Sequence, residues 1–242
     1  MIVERGPAPA RRVDRCYDAA VAWVQRRLIQ PLSGACRPRP WPAELAARLR
    51  ALGLDPERLQ AGPFSLDAGA VAALIDEIEA RPPRRVLEIG CGLSTVVLAA
   101  LAARHGFSLL SLDNHADSVA ALAAMSRGTP AAERLRLRIC RLRRLRRPGL
   151  GAYAWFAVDL SADGPFDFVF VDAPIAWLVG RQGVLPEIRP HLAAEHRVLL
   201  DDAQRGHERR CLARWSACLP AVLHQEAVPG CARLLRLRLQ AA

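Results

Sequence analysis

Arg85 to Ala103 reads RVLEIGCGLSTVVLAALAA, and this stretch decides the fold. Val86, Leu87 and Ile89 form a short apolar run suited to a strand buried on both faces. Gly90-Cys91-Gly92 follows as a tight turn, and apolar residues at helical spacing begin at Ser94. Strand, glycine turn and helix make the first half of a nucleotide-binding βαβ unit. The glycines let backbone approach a ligand where a Cβ would collide, and the helix start offers N–H groups to an anion. A glycine turn alone is a weak signal. Glu88, two residues before Gly90, and the chain that follows make it specific.

Downstream, apolar runs repeatedly end in acids. Phe107–Leu112 (FSLLSL) is a second buried strand, closed by Asp113, 23 residues after Gly90. There a nucleotide fold needs a carboxylate for two ribose hydroxyls; the competing role is N-cap of a helix over 116–125. Leu135–Cys140 alternates leucine and isoleucine with Arg134, Arg136 and Arg138, as a charged-faced strand at a sheet edge would. Gly149–Leu160 carries Tyr153, Trp155 and Phe156 and reads as an aromatic connection, either lining a pocket or capping the core. Phe166–Val171 (FDFVFV) ends in Asp172, a helix is expected over 181–192, and His196–Leu200 ends in Asp201-Asp202. A helix over 205–218 and a terminal hairpin, 221–227 with 231–239, close the chain. Strands alternating with helices predict a doubly wound, mostly parallel sheet of seven strands with an antiparallel C-terminal strand. Ligands bind such sheets beyond the strands' carboxyl ends. Glu88, Asp113, Asp172 and Asp201-Asp202 all fall there, a rim suited to a cationic ligand, hydroxyl groups or a metal.

Upstream, residues 1–15 are charged, contain proline and read as loosely attached. Helices are expected over 17–32, 42–52 and, N-capped by Ser65, 66–80. The expected organisation is a helical extension over 1–63 and a catalytic domain over 64–242. The chain's 242 residues are 52% apolar, enough for a real core. All 34 basic residues are arginine, and the net charge is +10. Eight arginines fall between Arg134 and Arg147, but without the aromatic interleaving of a single-strand binding surface, so a small molecule is favoured over nucleic acid as substrate. Seven dispersed cysteines argue for reduced thiols. With no secretory h-region and no run long enough to cross a membrane, a soluble cytoplasmic protein is expected.

From Phe64 onward the chain resembles a class I S-adenosylmethionine-dependent methyltransferase, on the small-molecule O-methyltransferase side of that family. VLEIGCGLST (86–95) is similar to the family's first motif, SLDN (111–114) to its ribose-binding acid, FDFVFVDAP (166–174) to its fourth motif, and RVLLDDAQR (197–205) to the end of strand five. The resemblance implies S-adenosylmethionine as cofactor. Glu88 would orient the glycine turn, and Gly90, Cys91, Gly92 and Ser94 would line the methionyl end. Asp113 would hold the ribose, Asn114 would lie beside adenine, and Asp172 would close the site. The family often carries an acid after its third strand for the adenine amine; this chain has Cys140-Arg141-Leu142. A nicotinamide oxidoreductase is the rival on this architecture. Its fingerprint wants a third glycine where Thr95 stands. A methyltransferase-like domain that only binds a partner is the other. Methyl transfer needs the acceptor's proton removed, with Asp172 the leading residue, Asp202 beside it, and His207 far behind. Metal-dependent relatives would place Mg²⁺ on Asp172, Asp201 and Asp202; the alternative is that these acids cap the next helix and pair with Arg205. The acceptor class is a small molecule or sugar hydroxyl; a homo-oligomer is left open.

Overall fold

The computed structural model describes residues 1–7, 11–24, 27, 40–59, 65–174, 180–219 and 221–241. Arg85–Ile89 (β2) is the central strand, with Val86 facing one side of the sheet and Leu87 and Ile89 the other, all fully buried. Ser108–Asp113 (β3), Leu135–Ile139 (β4), Phe166–Val171 (β7) and Leu192–Leu200 (β8) run parallel to it. Ala221–Val228 (β9) and Cys231–Ala241 (β10) form the closing antiparallel hairpin, β10 lying between β8 and β9. These are the seven expected strands. An eighth, Ile2–Arg5 (β1), pairs parallel to β4 and gives the order β1-β4-β3-β2-β7-β8-β10-β9.

β1 corrects two expectations: the first residues are not loosely attached, and β4 is not the edge. Its arginines serve a different purpose from edge protection. Glu4 of β1 accepts from Arg136 Nη2 at 2.6 Å and from Arg138 Nε at 2.7 Å. Asp163 pairs with the same two guanidinium groups at 2.6 and 2.8 Å. The charged face of β4 is thus neutralised inside the molecule. Against a burial penalty, these arginines hold both Glu4 and Asp163 below the usual carboxylate range.

Helices cover both faces. Ala68–Ala80 (α3), Leu93–His105 (α4) and Ala116–Ser126 (α5) pack Leu74, Ile78, Leu98, Leu101 and Val119 against Phe168 and Phe170. Val184–Ile188 (α7) and Gly206–Cys218 (α8) pack Leu185, Ile188 and Trp215 against Val169, Val171 and Leu200. Arg12–Val24 (α1) and Ala43–Ala51 (α2) lie in the N-terminal third, and Ala131–Arg134 (α6) is a single turn before β4. The parts of the predicted 17–32 helix beyond Val24, apart from Arg27, and the start of the predicted 64–242 domain lie outside the described residues. Ser65 is not the cap of α3: Asp67 accepts from the amide of Ala70 at 2.8 Å. The helix expected over 181–192 is shorter, α7 followed by a 3₁₀ turn at Arg189–His191, and β8 starts earlier, at Leu192.

The aromatic connection is a hairpin, Leu142–Arg147 (β5) with Gly151–Phe156 (β6). Asp18 and Asp14 of α1 accept the β5 amides of Leu142 and Arg144 at 2.8 and 2.9 Å, covering that edge. Tyr153, Trp155 and Phe156 are buried and cap the core, and Tyr153 donates to Glu187 at 2.7 Å. No described helix is long and apolar enough to cross a membrane.

Candidate active site

The chain winds from β2 outward through β3 to β4, then returns to β7 and β8 on the other side. The topological switch point lies between β2 and β7, and the crevice expected there opens beyond their carboxyl ends. The sequence-predicted acids gather at this rim.

The two glycines of the turn do different work. Gly90 sits at φ +103°, and a Cβ on it would lie 2.7 Å from Ala173 Cβ and 3.1 Å from Ala173 N. Its need for glycine comes from the chain's own β7 exit segment. Gly92 is extended, at φ −176°, and a Cβ there would meet no protein atom within 4 Å. Space is therefore open on the Cβ side of Gly92. The turn's amides are satisfied internally: Cys91 N–H donates to Asp113 Oδ2 at 2.7 Å and Gly92 N–H to Thr95 Oγ1 at 2.9 Å. Thr95, standing where a dinucleotide fingerprint wants glycine, is a built part of this turn. Burial, then the nearby Asp113, push the Cys91 thiol well up.

Glu88 lies beneath the turn, fully buried. Its two oxygens accept from Ser94 Oγ and Ser111 Oγ, each at 2.5 Å, tying β2 to the start of α4 and to β3. Burial raises its carboxyl to about 7. Glu88 and Ser94 therefore hold each other.

Asp113 ends β3. Its oxygens accept from the amides of Cys91 and His115, both at 2.7 Å, and burial raises its carboxyl despite these bonds. The capping alternative does not hold, because α5 is capped by His115, whose Nδ1 accepts from Ser118 N at 3.2 Å. An ionised carboxylate has about four acceptor sites, and backbone amides, that of Asn114 among them, do not fill them all. Asn114 follows, half-buried. Cys140, where an adenine-binding acid was the alternative, is buried; its amide donates to the Asp113 carbonyl at 2.7 Å, and burial pushes its thiol up to about 12.

On the other side of the switch point, Asp172, Asp201 and Asp202 each bring one carboxylate oxygen within 4.8 Å of the others. Asp172 is half-buried; burial and the neighbouring Asp201 push its carboxyl well above the usual range, against the pull of Arg181. The buried Arg181 donates to the Asp172 carbonyl at 2.7 Å, to Asp172 Oδ1 at 3.0 Å and to the carbonyls of Pro174 and Asp201. Asp201, fully buried, receives Arg233 on both oxygens, at 2.5 and 2.6 Å. Asp202 sits at φ +59°, a left-handed conformation that aspartate tolerates better than most residues. Its Oδ2 pairs with Arg205 at 2.6 Å, the pairing expected as the alternative to a metal. It does not cap α8, whose N-cap Arg205 has no side-chain bond. His207 is exposed on α8, beside Arg210.

The residues missed by sequence are Arg181, Arg233 and Glu208. Glu208 is buried on α8, 3.5 Å from Arg181. No spacing marks these arginines among the chain's 34. The only available hint was that several buried acids at one rim require buried cations.

Comparison with known proteins agrees with this architecture. Residues 87–203 match the family model described as a methyltransferase domain. No curated protein sequence is significantly similar to the chain. Among solved structures, the SAH-bound methyltransferase PaMTH1 of Podospora anserina is 16% identical with a TM-score of 0.54, covering 97% of this chain and 99% of its own. The O-methyltransferase TomG from Streptomyces achromogenes, in complex with SAM and involved in tomaymycin synthesis, is 16% identical with a TM-score of 0.50, covering 95% and 99%. An O-methyltransferase from Bacillus cereus in complex with SAH is 16% identical with a TM-score of 0.50, covering 94% and 99%. At these identities the structures speak for the fold, and the family model speaks for residues 87–203. Residues 87–203 thus match a methyltransferase domain, carried on a fold shared with SAM- and SAH-bound methyltransferases.

Proposed function

We propose that the protein transfers a methyl group from S-adenosylmethionine to a hydroxyl of a small molecule or sugar. The observation that carries this is the placement of the open Gly92, Asp113 and Asp172 on the ends of three consecutive strands, β3, β2 and β7, at the switch point. These residues fit the cofactor: Gly92 has space on its Cβ side, and Asp113 keeps acceptor capacity for ribose hydroxyls. Asn114, next in line, would meet the adenine edge. Glu88 and Ser94 support the turn from below, and Gly90 fits it against Ala173. When bound, S-adenosylmethionine supplies an electrophilic methyl on a sulfonium centre.

The chain's part is to align the acceptor and take its proton. Asp172 is the acid of the cluster that remains reachable, and burial beside Asp201 raises its affinity for protons, in the direction a base requires. Arg181 holds the Asp172 backbone and one carboxylate oxygen, leaving Oδ2 for the acceptor. Asp202, buried and paired with Arg205, positions this arrangement. The nicotinamide alternative is not favoured, because Thr95 is integral to the turn.

Calorimetry with S-adenosylmethionine tests the cofactor; NAD binding in its place would overturn the assignment. Asp172→Asn should retain S-adenosylmethionine affinity while turnover falls by about 10²–10⁴-fold, the usual contribution of a positioned base. Turnover within a few-fold of wild type would remove Asp172 from the chemistry. Cofactor binding with no turnover across hydroxyl acceptors would favour the binding-domain alternative.

A further inference from the structure

The acid cluster has the outline of a divalent-cation site. Three carboxylate oxygens within 4.8 Å of one another could surround an ion at ordinary oxygen–metal distances. In this chain, cations are already supplied by the protein. Arg233, carried on β10, clasps both oxygens of the fully buried Asp201 and lies 3.2 Å from Asp202 Oδ1. Its remaining nitrogen donates to the Ser65 carbonyl at 3.2 Å, so the guanidinium is anchored to a third segment. Arg205 pairs with Asp202 Oδ2, and Arg181 with Asp172 Oδ1.

We propose that Arg233, with Arg181 and Arg205, stands in the place of a divalent cation, so that methyl transfer here is metal-independent. These three permanent cations already hold the acids of the cluster, and Arg181 also lies 3.5 Å from the buried Glu208. For Asp201 to ligate a metal, a bidentate, charge-assisted pair would have to break. An incoming cation would also meet the Arg233 guanidinium, which cannot lose its charge. Of the six carboxylate oxygens, Asp202 Oδ1 is buried without a hydrogen-bond donor, and Asp172 Oδ2 has no ion pair among the described residues. A guanidinium is no Lewis acid, so it cannot acidify a bound hydroxyl as a metal does. Removal of the acceptor's proton then falls to Asp172 alone. The consequence for catalysis rests on the methyltransferase reading; the claim about cations rests on the side-chain geometry.

Mn²⁺, followed by its own paramagnetic resonance, is the probe, with the full-length wild type and with Arg233→Gln. The wild type should show no Mn²⁺ site tighter than about 1 mM, and neither its melting temperature nor its SAH affinity should change with EDTA. Arg233→Gln should gain one Mn²⁺ equivalent and melt at higher temperature when Mn²⁺ is present. One tight Mn²⁺ equivalent on the wild type, lost in Asp172→Asn, overturns the proposal. So does a folded Arg233→Gln that gains no Mn²⁺ affinity. If Arg233→Gln does not fold, the wild-type titration decides by itself. Failure to bind SAH would instead sink the methyltransferase reading and leave the Mn²⁺ result intact.

Discussion

Two glycines separated by one residue should respond in opposite ways to the same methyl group. At Gly90 the backbone is at φ +103° and a Cβ would lie 2.7 Å from Ala173 Cβ. Forcing an L-residue into that conformation costs about 1–3 kcal/mol, and overpacking a fitted contact about 1–3 kcal/mol more. Gly90→Ala should therefore lose about 2–6 kcal/mol, a fall of roughly 5–20 °C in melting temperature for a domain of this size. At Gly92 the backbone is extended and a Cβ meets nothing. Alanine there should leave stability unchanged or raise it by about 0.4–1 kcal/mol through the unfolded chain. Its methyl, however, would stand in the space assigned to the cofactor, and a tenfold or greater loss of SAH affinity, at least about 1.4 kcal/mol, is expected. Thermal melts give the first quantity and SAH calorimetry the second. A Gly92→Ala protein that binds SAH normally would refute the assignment of that space. Equal melting temperatures for the two variants would refute the division of labour between the glycines.

Two further expectations concern buried and half-buried acids. Glu88 titrates at about 7 in the fold against 4.5 ordinarily. A group that binds its proton more tightly when folded contributes stability at low pH, which is lost as pH rises from about 4.5 to 7. The difference between wild type and Glu88→Gln should accordingly shift by about 3 kcal/mol across that window, read by urea melts at pH 5 and pH 8; a constant difference would refute it. Glu4 is the opposite case, held below its usual range by Arg136 and Arg138 despite burial. Its contribution is present at neutral pH and lost as pH falls through its folded-state value. Glu4→Ala should cost about 1–2 kcal/mol at pH 7 and progressively less as the acid range is entered, and a cost that does not diminish toward low pH would count against the pairing.

Sequence reveals some of these features and hides others for physical reasons. Strands buried on both faces must be apolar throughout, so FSLLSL and FDFVFV announce themselves and their terminal acids stand out. The assignment of Asp113 to the rim followed directly. IVER, by contrast, is four residues with no period, and its value as a strand depends on Arg136 and Arg138 needing Glu4, 132 and 134 positions away. LRRLRR spaces its leucines by three, which masks the strand β5; its edge is covered by Asp14 and Asp18, again far away in sequence. Arg181 and Arg233 are invisible for a compositional reason: where every basic residue is arginine, none looks special. The acids could be placed from one strand at a time, whereas their partners exist only once separate segments meet.

The outermost strand also has a consequence for biogenesis. Ile2–Arg5 is made before Leu135–Ile139, its sheet partner among the described residues. Paired positions such as Ile2 and Arg136 lie 134 residues apart, and all of that chain must be made before they can dock. Until then Ile2 and Val3 remain without their strand partner, and the guanidinium groups of β4 later meet a counter-ion, Glu4, made long before them. Formation of this edge must therefore be a late, long-range closure, slow by the rule that distant contacts order last.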